Sequence, residues 1–190
     1  LGVSFLTATE LPDVGAFGTR QKPSRLLALA NPDGSLPGAR VEVEKIAPLF
    51  SQRQTYFGPE ATQDKLKGTG DVVHFATHGV LDSEDVNESY LLLSGDDQRL
   101  TVGEIYGLDL AEVSLVTLSA CETAVGEINP GAEIATLSQA FSVAGSKTML
   151  GSLWKVDDEA TAFLMTSFYR NLTQGKSKAE SLRLAQLETA

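Results

Sequence analysis

Apolar residues fall along the chain in short runs that alternate with longer stretches where they recur every three or four positions. Arg25 to Ala30 (R-L-L-A-L-A) is apolar at nearly every position and ends at Asn31-Pro32-Asp33-Gly34, a strong turn signal, so a buried strand is expected there. From Pro37 to Phe50 the apolar positions Val43, Ile46, Ala47 and Phe50 have helical spacing. Gln54 to Phe57 reads as a short strand closed by Gly58-Pro59, and Glu60 to Lys67 as a short helix. Asp71 to Thr77 is a third strand, with His78-Gly79 directly behind it and an acidic loop from Asp82 to Glu88 beyond.

Ser89 to Leu93 reads as an added strand or hairpin. Thr101 and Glu104 have the spacing of a capping box, which predicts a short helix. Val113 to Ala120 is a fourth strand, Ala132 to Ala144 a helix, and Lys147 to Leu153 a fifth strand. A helix from Asp157-Asp158 to about Thr173 ends near Gly175, and Ser177 with Glu180 caps a last helix. Strands apolar on both faces, alternating with helices, predict an α/β fold with a mainly parallel sheet covered on both sides. Residues 1–24 carry scattered Gly, Pro and Thr and are expected to be an irregular lead-in to a single domain over 25–190.

Composition narrows the function classes. The formal charge of −10 argues against general nucleic-acid binding and against adhesion to anionic membranes, both of which need a basic surface. No apolar run reaches the length of a membrane span. A single cysteine excludes an internal disulfide and a cysteine-built zinc cluster, and points to a reducing, cytosolic compartment. The start lacks both a Met and the basic head of a signal peptide, so the chain reads as part of something longer. The sequons at Asn87 and Asn171 are then chance matches.

Several motifs fail on inspection. Gly175-Lys176-Ser177 has Arg170 where a phosphate-binding loop needs Gly, and lies between helices. Gly68-Thr69-Gly70 precedes a strand instead of following one, which counts against a dinucleotide or nucleotide site. No Gly-x-Ser-x-Gly elbow is present. His74 and His78 have the spacing of zinc ligands on a helix, but the pattern there is a strand and no third ligand is evident, so no metal or other cofactor is expected.

One pair of residues survives. In open α/β sheets, ligands gather outside the carboxyl ends of the strands. His78 closes the third strand, and Cys121, the lone cysteine, closes the fourth. If those strands are parallel neighbours, about 5 Å apart, imidazole and thiol project from one edge and both reach one peptide bond. The thiolate would attack the carbonyl and His78 would give a proton to the leaving amine. The backbone N–H groups of Gly79 and Cys121 are candidate oxyanion donors. The competing reading of Cys121 is a buried small hydrophobe.

These residues carry a family resemblance. His74-Phe75-Ala76-Thr77-His78-Gly79, Leu118-Ser119-Ala120-Cys121-Glu122-Thr123-Ala124 and Ser152-Leu153-Trp154-Lys155-Val156-Asp157-Asp158 resemble the CHAT domain, in the right order. The N-P-D-G, L-P-G-A-R-x-E-V, G-P-E-A-T and F-Y-R-N-L-x-x-G-K-S-K-A-E-S-L-R-x-A-Q segments extend the resemblance over most of the chain. It implies a caspase-like peptidase fold, a three-layer sandwich, of a family often found downstream of tetratricopeptide repeats in bacteria. It implies a catalytic dyad of His78 and Cys121 with Gly79 and Cys121 as oxyanion donors. His78 precedes Cys121 by 43 residues, close to the ~50 expected of caspases, although S-A-C-E-T departs from their Q-A-C-x-G. Family members usually continue past the final helix into an aromatic-rich strand, so a sheet lacking that strand and open at one edge is expected. An upstream repeat or regulatory segment is likewise expected outside this chain.

The expected function is cysteine endopeptidase, acting on a protein or peptide substrate. The alternative is a non-catalytic scaffold that keeps the fold and motifs. Asp157 is read either as a helix cap or as part of an acidic pocket that prefers Lys or Arg beside the cut. Glu122 is read as a second pocket residue or as surface. Trp154 is expected to be a packing anchor, and His74 a core histidine or one that supports the catalytic residues from behind.

Overall fold

The computed structural model describes residues 22–67, 70–80, 82, 85–119, 132–151 and 158–189. In chain order its elements are β1 (Arg25–Ala30), α1 (Pro37–Ile46), β2 (Gln52–Phe57), β3 (Val72–Ala76), β4 (Gly79–Val80), β5 (Tyr90–Leu92), β6 (Arg99–Thr101), α2 (Val102–Ile105), β7 (Leu115–Leu118), α3 (Ala132–Val143), β8 (Met149–Gly151), α4 (Asp158–Thr173) and α5 (Lys178–Thr189). The chain folds as α/β. Strands β2-β1-β3-β7-β8 form one sheet in that order, parallel at every pairing, and β4-β5-β6 form a small antiparallel sheet.

Strands β1, β3 and β7 are buried on both faces, which is why their sequences read as continuous apolar runs. One face carries Leu26, Ala28, Ala30, Val72, Ala76 and Leu115 against α1, α4 and α5; its packing residues include Val43, Ile46, Leu164, Phe168, Tyr169 and Ala185. The other face carries Leu27, Leu29, Val73, Phe75, Val116 and Leu118 against α2, α3 and the small sheet. Each of the Val, Leu, Ile and Phe side chains among them, fully buried, contributes about 1.5–3 kcal/mol of hydrophobic stabilisation before the ordering entropy is set against it. The result is the three-layer arrangement that the alternating pattern predicts.

Most expected elements stand where the pattern puts them. The capping box at α2 is complete, with Glu104 N–H donating to Thr101 Oγ1 (3.2 Å) and Thr101 N–H to Glu104 Oε2 (2.8 Å). At α5 the Ser177 hydroxyl accepts from Glu180 N–H (3.2 Å). Ser89 to Leu93 contains β5, the middle strand of the small sheet. The helix expected over Glu60 to Lys67 is not formed. Two 3-10 turns, Gly58–Glu60 and Gln63–Leu66, take its place, because Gly58 sits at φ +53 and Thr62 bridges to Ser94 between them. No helix among the described residues is long and apolar enough to cross a membrane.

The amino edge of the sheet is tied by Asp71. Its carboxylate accepts from Ser24 N–H (2.8 Å), Arg25 N–H (3.0 Å) and Arg25 Nε–H (2.9 Å), so the start of β3 holds the start of β1. Burial works against the charge, but the hydrogen bonds from Ser24 and Arg25 outweigh it and hold the carboxyl below its ordinary 3.8. A depressed carboxyl stabilises the fold above its unfolded value and loses that contribution as pH falls through the folded one. Asp71→Asn is therefore expected to lower stability by about 1–2 kcal/mol at pH 7, tempered by partial solvent exposure. The difference from the unsubstituted chain should shrink toward zero as pH falls through the lowered pKa of the folded carboxyl, read by urea melts across pH. A deficit that stays constant with pH would assign the effect to packing instead.

Candidate active site at the carboxyl edge of the sheet

Strands β3 and β7 are parallel neighbours, with His74 opposite Thr117 and Phe75 opposite Leu118. The pairing continues past the strands, where Ser119 N–H donates to Phe75 O (2.8 Å). His78 follows β3 and Ser119 follows β7, so both leave the sheet at its carboxyl edge. The condition that sequence reasoning placed on His78 is met. Cys121, Glu122, Trp154 and Asp157 lie outside the described residues. Cys121 follows Ser119 by two residues in the chain.

The turn after β1 reaches the same edge. Asn31 occupies the left-handed region at φ 50, which Asn tolerates better than most residues. Its N–H donates to Ala76 O (3.0 Å) and its side-chain oxygen accepts from Leu36 N–H (2.7 Å), so the turn is fastened to the end of β3. This sets Ser35 against His78, with Ser35 Oγ 2.7 Å from His78 Nε2. Asp33 lies behind, accepting from Ser35 N–H (3.1 Å) and from Ser35 Oγ (2.8 Å), with its own carboxylate 3.9 Å from His78 Nε2.

The donor count assigns the tautomer. Burial acts to raise the Asp33 pKa, but the backbone and hydroxyl hydrogen bonds of Ser35 and the nearby His78 outweigh it and hold the carboxyl below its usual value. A carboxylate only accepts, so the single hydroxyl proton of Ser35 goes to Asp33. Ser35 Oγ is then an acceptor toward His78, and Nε2 must carry the proton. In the neutral ring Nδ1 is left as the basic nitrogen. Asp33, Ser35 and the imidazole so form a chain in which each member orients the next.

Gly79 pairs with Leu91, and the bond from Leu92 N–H to His78 O (2.8 Å) marks 78 and 92 as a hydrogen-bonded pair. By the alternation of an antiparallel ladder, Gly79 N–H points away from β5.

A second polar chain lies in the layer beneath. His74 is fully buried and reads correctly as a core histidine. Its Nδ1 is 3.0 Å from Tyr169 OH, which lies 2.8 Å from Thr117 Oγ1. Its Nε2 is 3.0 Å from Glu42 Oε1, though off the line of a directed hydrogen bond, so this contact is electrostatic. Glu42 Oε2 accepts from Ser119 Oγ (2.7 Å). Burial pushes the Tyr169 hydroxyl far above the phenol range; Thr117 opposes that shift and the charge of Glu42 adds to it.

Sequence reasoning missed Asp33, Ser35, Glu42 and Tyr169. A signal existed for Glu42, which lies three residues after Ala39 and four before Ile46, on the apolar face of α1. For Asp33 and Ser35 the signal was position, since the loop after β1 must open at the same edge as His78. Among the described residues no group of three or more His, Cys, Asp or Glu is placed to hold a metal ion. A cavity lined by Arg25, Leu66, Leu108 and Glu112 opens at the amino edge, the length of a strand from His78.

A family model described as CHAT domain matches residues 4–190. No curated protein matches the sequence. Among solved structures, the pyridoxal kinase from Staphylococcus aureus in complex with pyridoxal is similar at 13% identity and a TM-score of 0.42, covering 89% of this chain and 87% of that one. The same kinase in complex with ADP gives 13% identity and a TM-score of 0.41, with 89% and 87% covered. At these values the likeness carries no functional inference.

The tautomer is directly measurable. Long-range nitrogen–proton NMR spectra of the neutral His78 ring should show Nε2 protonated and Nδ1 bare. Ser35→Ala, which removes the hydroxyl that accepts the Nε2 proton, should give a mixture of tautomers. A predominantly Nδ1-protonated ring in the unsubstituted chain would contradict the donor count.

Proposed function

Because the chain belongs to the CHAT domain family, a caspase-like peptidase family, we propose that it is a cysteine endopeptidase in which Cys121 is the nucleophile and His78 the general acid and base. The observation that carries this reading is the held imidazole. His78 stands at the carboxyl edge, one strand from the segment leading to Cys121, with Nε2 bound to Ser35 and backed by Asp33. A nucleophile, a base and a group that orients the base are the parts that covalent catalysis requires.

The chemistry follows from those roles. His78 Nδ1 takes the proton of the Cys121 thiol, the resulting thiolate attacks the substrate carbonyl carbon, and the carbonyl oxygen takes up the negative charge facing the N–H groups of Gly79 and Cys121. The carbon–nitrogen bond breaks as His78 Nδ1–H gives its proton to the leaving amine. Water then attacks the thioester, His78 Nδ1 takes a proton from that water, and the carboxylic acid leaves with the thiol restored. Ser35 and Asp33 support the imidazolium during both transfers, since Asp33 remains ionised beside it.

The substrate in this reading is a protein or peptide with Lys or Arg beside the cut, drawn by the carboxylates of Asp157 and Glu122. The overall charge of −10 favours basic segments in the same direction. A cytosolic setting fits an unpaired catalytic thiol.

Cys121→Ala and His78→Ala should each lower kcat/KM by about 10³-fold or more against a peptide library, with melting temperatures close to the parent. Asp157→Asn should weaken the preference for Lys and Arg by about ten-fold while leaving kcat for the best apolar peptide unchanged. Cleavage that persists in Cys121→Ala removes the mechanism. A folded chain that binds a partner and leaves every peptide intact is the scaffold outcome.

A further inference from the structure

Five buried polar side chains run in a line across the layer between the sheet and α1 and α4. They are Ser119, Glu42, His74, Tyr169 and Thr117, at 0 to 7% exposure. They come from α1, β3, β7, the residue after β7, and α4. Two of the five, Thr117 and Ser119, lie on one face of the strand end that leads to Cys121. A third, His74, lies on the strand that leads to His78. The line therefore joins the two strands from which the proposed dyad departs.

The composition of this line is not what packing alone selects. Glu42 shares the buried face of α1 with Ala39, Val43 and Ile46, where an apolar residue would fill the space without a charge. A buried carboxylate is tolerated only when it is paired and hydrogen-bonded. Here one oxygen faces His74 and the other is held by the Ser119 hydroxyl. The Ser119–Glu42 hydrogen bond is directional and fixes the spacing of the groups it joins, which interchangeable apolar contacts do not.

We infer that Glu42, His74 and Ser119 are positioning residues for the reaction at this edge. Glu42, braced by His74, holds the Ser119 hydroxyl and thereby fixes the backbone at Ser119, which precedes Cys121 by two residues in the sequence. Tyr169 and Thr117 brace the same strand from the far side of His74. This rests on the peptidase reading for its place in a reaction. Its own content is a coupling between α1 and the chain beyond β7. A displacement near 1 Å at a reacting group costs on the order of 100-fold in rate.

The test uses the chain's single cysteine, because iodoacetamide alkylation then reports on Cys121 alone. Ser119→Ala should lower kcat by about ten-fold or more with KM within about two-fold, and slow alkylation comparably, while melting stays cooperative. Glu42→Gln should do the same. The double variant should be no worse than the more severe single one, because both act through one contact. Should Glu42→Gln not fold, Ser119→Ala decides alone, since it leaves the Glu42–His74 pair in place. Rates within two-fold of the parent in Ser119→Ala, or effects that multiply independently in the double variant, overturn the inference. A chain that cleaves no peptide defeats the peptidase reading, and the alkylation rates still decide this one.

Discussion

A carboxylate and an imidazole face each other 3.0 Å apart in the interior, Glu42 on α1 and His74 on β3, and join a helix to the middle of the large sheet. Removing one partner of such a pair leaves an uncompensated buried group, which typically costs about 3–5 kcal/mol. The pair therefore fixes how α1 lies on β3. Through Tyr169 it also fixes α4, whose ring edges meet Phe50, Phe168 and His74. The apolar residues around it are more replaceable, since hydrophobic burial depends on area and volume and little on direction.

The carboxyl edge becomes a site through the parallel topology. Every strand of the large sheet runs the same way, so the segments after β1, β3 and β7 emerge side by side. Asn31 then does locally what the sheet does globally. Its bond to Ala76 O extends the β1–β3 ladder by one rung, and the turn that follows delivers Ser35 and Asp33 to His78. On the far side, β4 begins at Gly79 directly after His78 and is paired by β5, so the imidazole is held from both directions along its own chain.

The layer order was legible from sequence because strands β1, β3 and β7 are buried on both faces and the helices keep a regular apolar spacing. The segment over Glu60 to Lys67 was not. Its residues suit a helix, but Gly58 at positive φ and the Thr62–Ser94 bridge divide it into separate turns, and neither is visible in local pattern. At the carboxyl edge, the position of His78 was legible because it follows a strand in a recognisable motif. Glu42 was not read because a charged residue in an amphipathic helix is ordinarily solvent-facing, although its spacing from Ala39 and Ile46 puts it on the apolar face. Asp33 was read as part of a turn, which it is, and Ser35 was not singled out; their place beside His78 needs the fold to bring residues 33 and 78 together.

The two polar chains differ in what they can contribute. The Asp33–Ser35–His78 chain is partly open to solvent and ends on a nitrogen, so it governs which proton His78 can exchange. The Ser119–Glu42–His74–Tyr169–Thr117 chain is closed to solvent and exchanges nothing with a substrate. Its members can act only by holding backbone in place. Orientation of an imidazole within a few tenths of an ångström requires both kinds of support, because Ser35 fixes the ring only relative to the β1 turn. The turn in turn is fixed to β3, and β3 to β7 through His74 and Thr117. The strands that lead to this edge are thus joined to the helices by buried polar contacts, His74 of β3 to Glu42 of α1 and to Tyr169 of α4, and Thr117 of β7 to Tyr169.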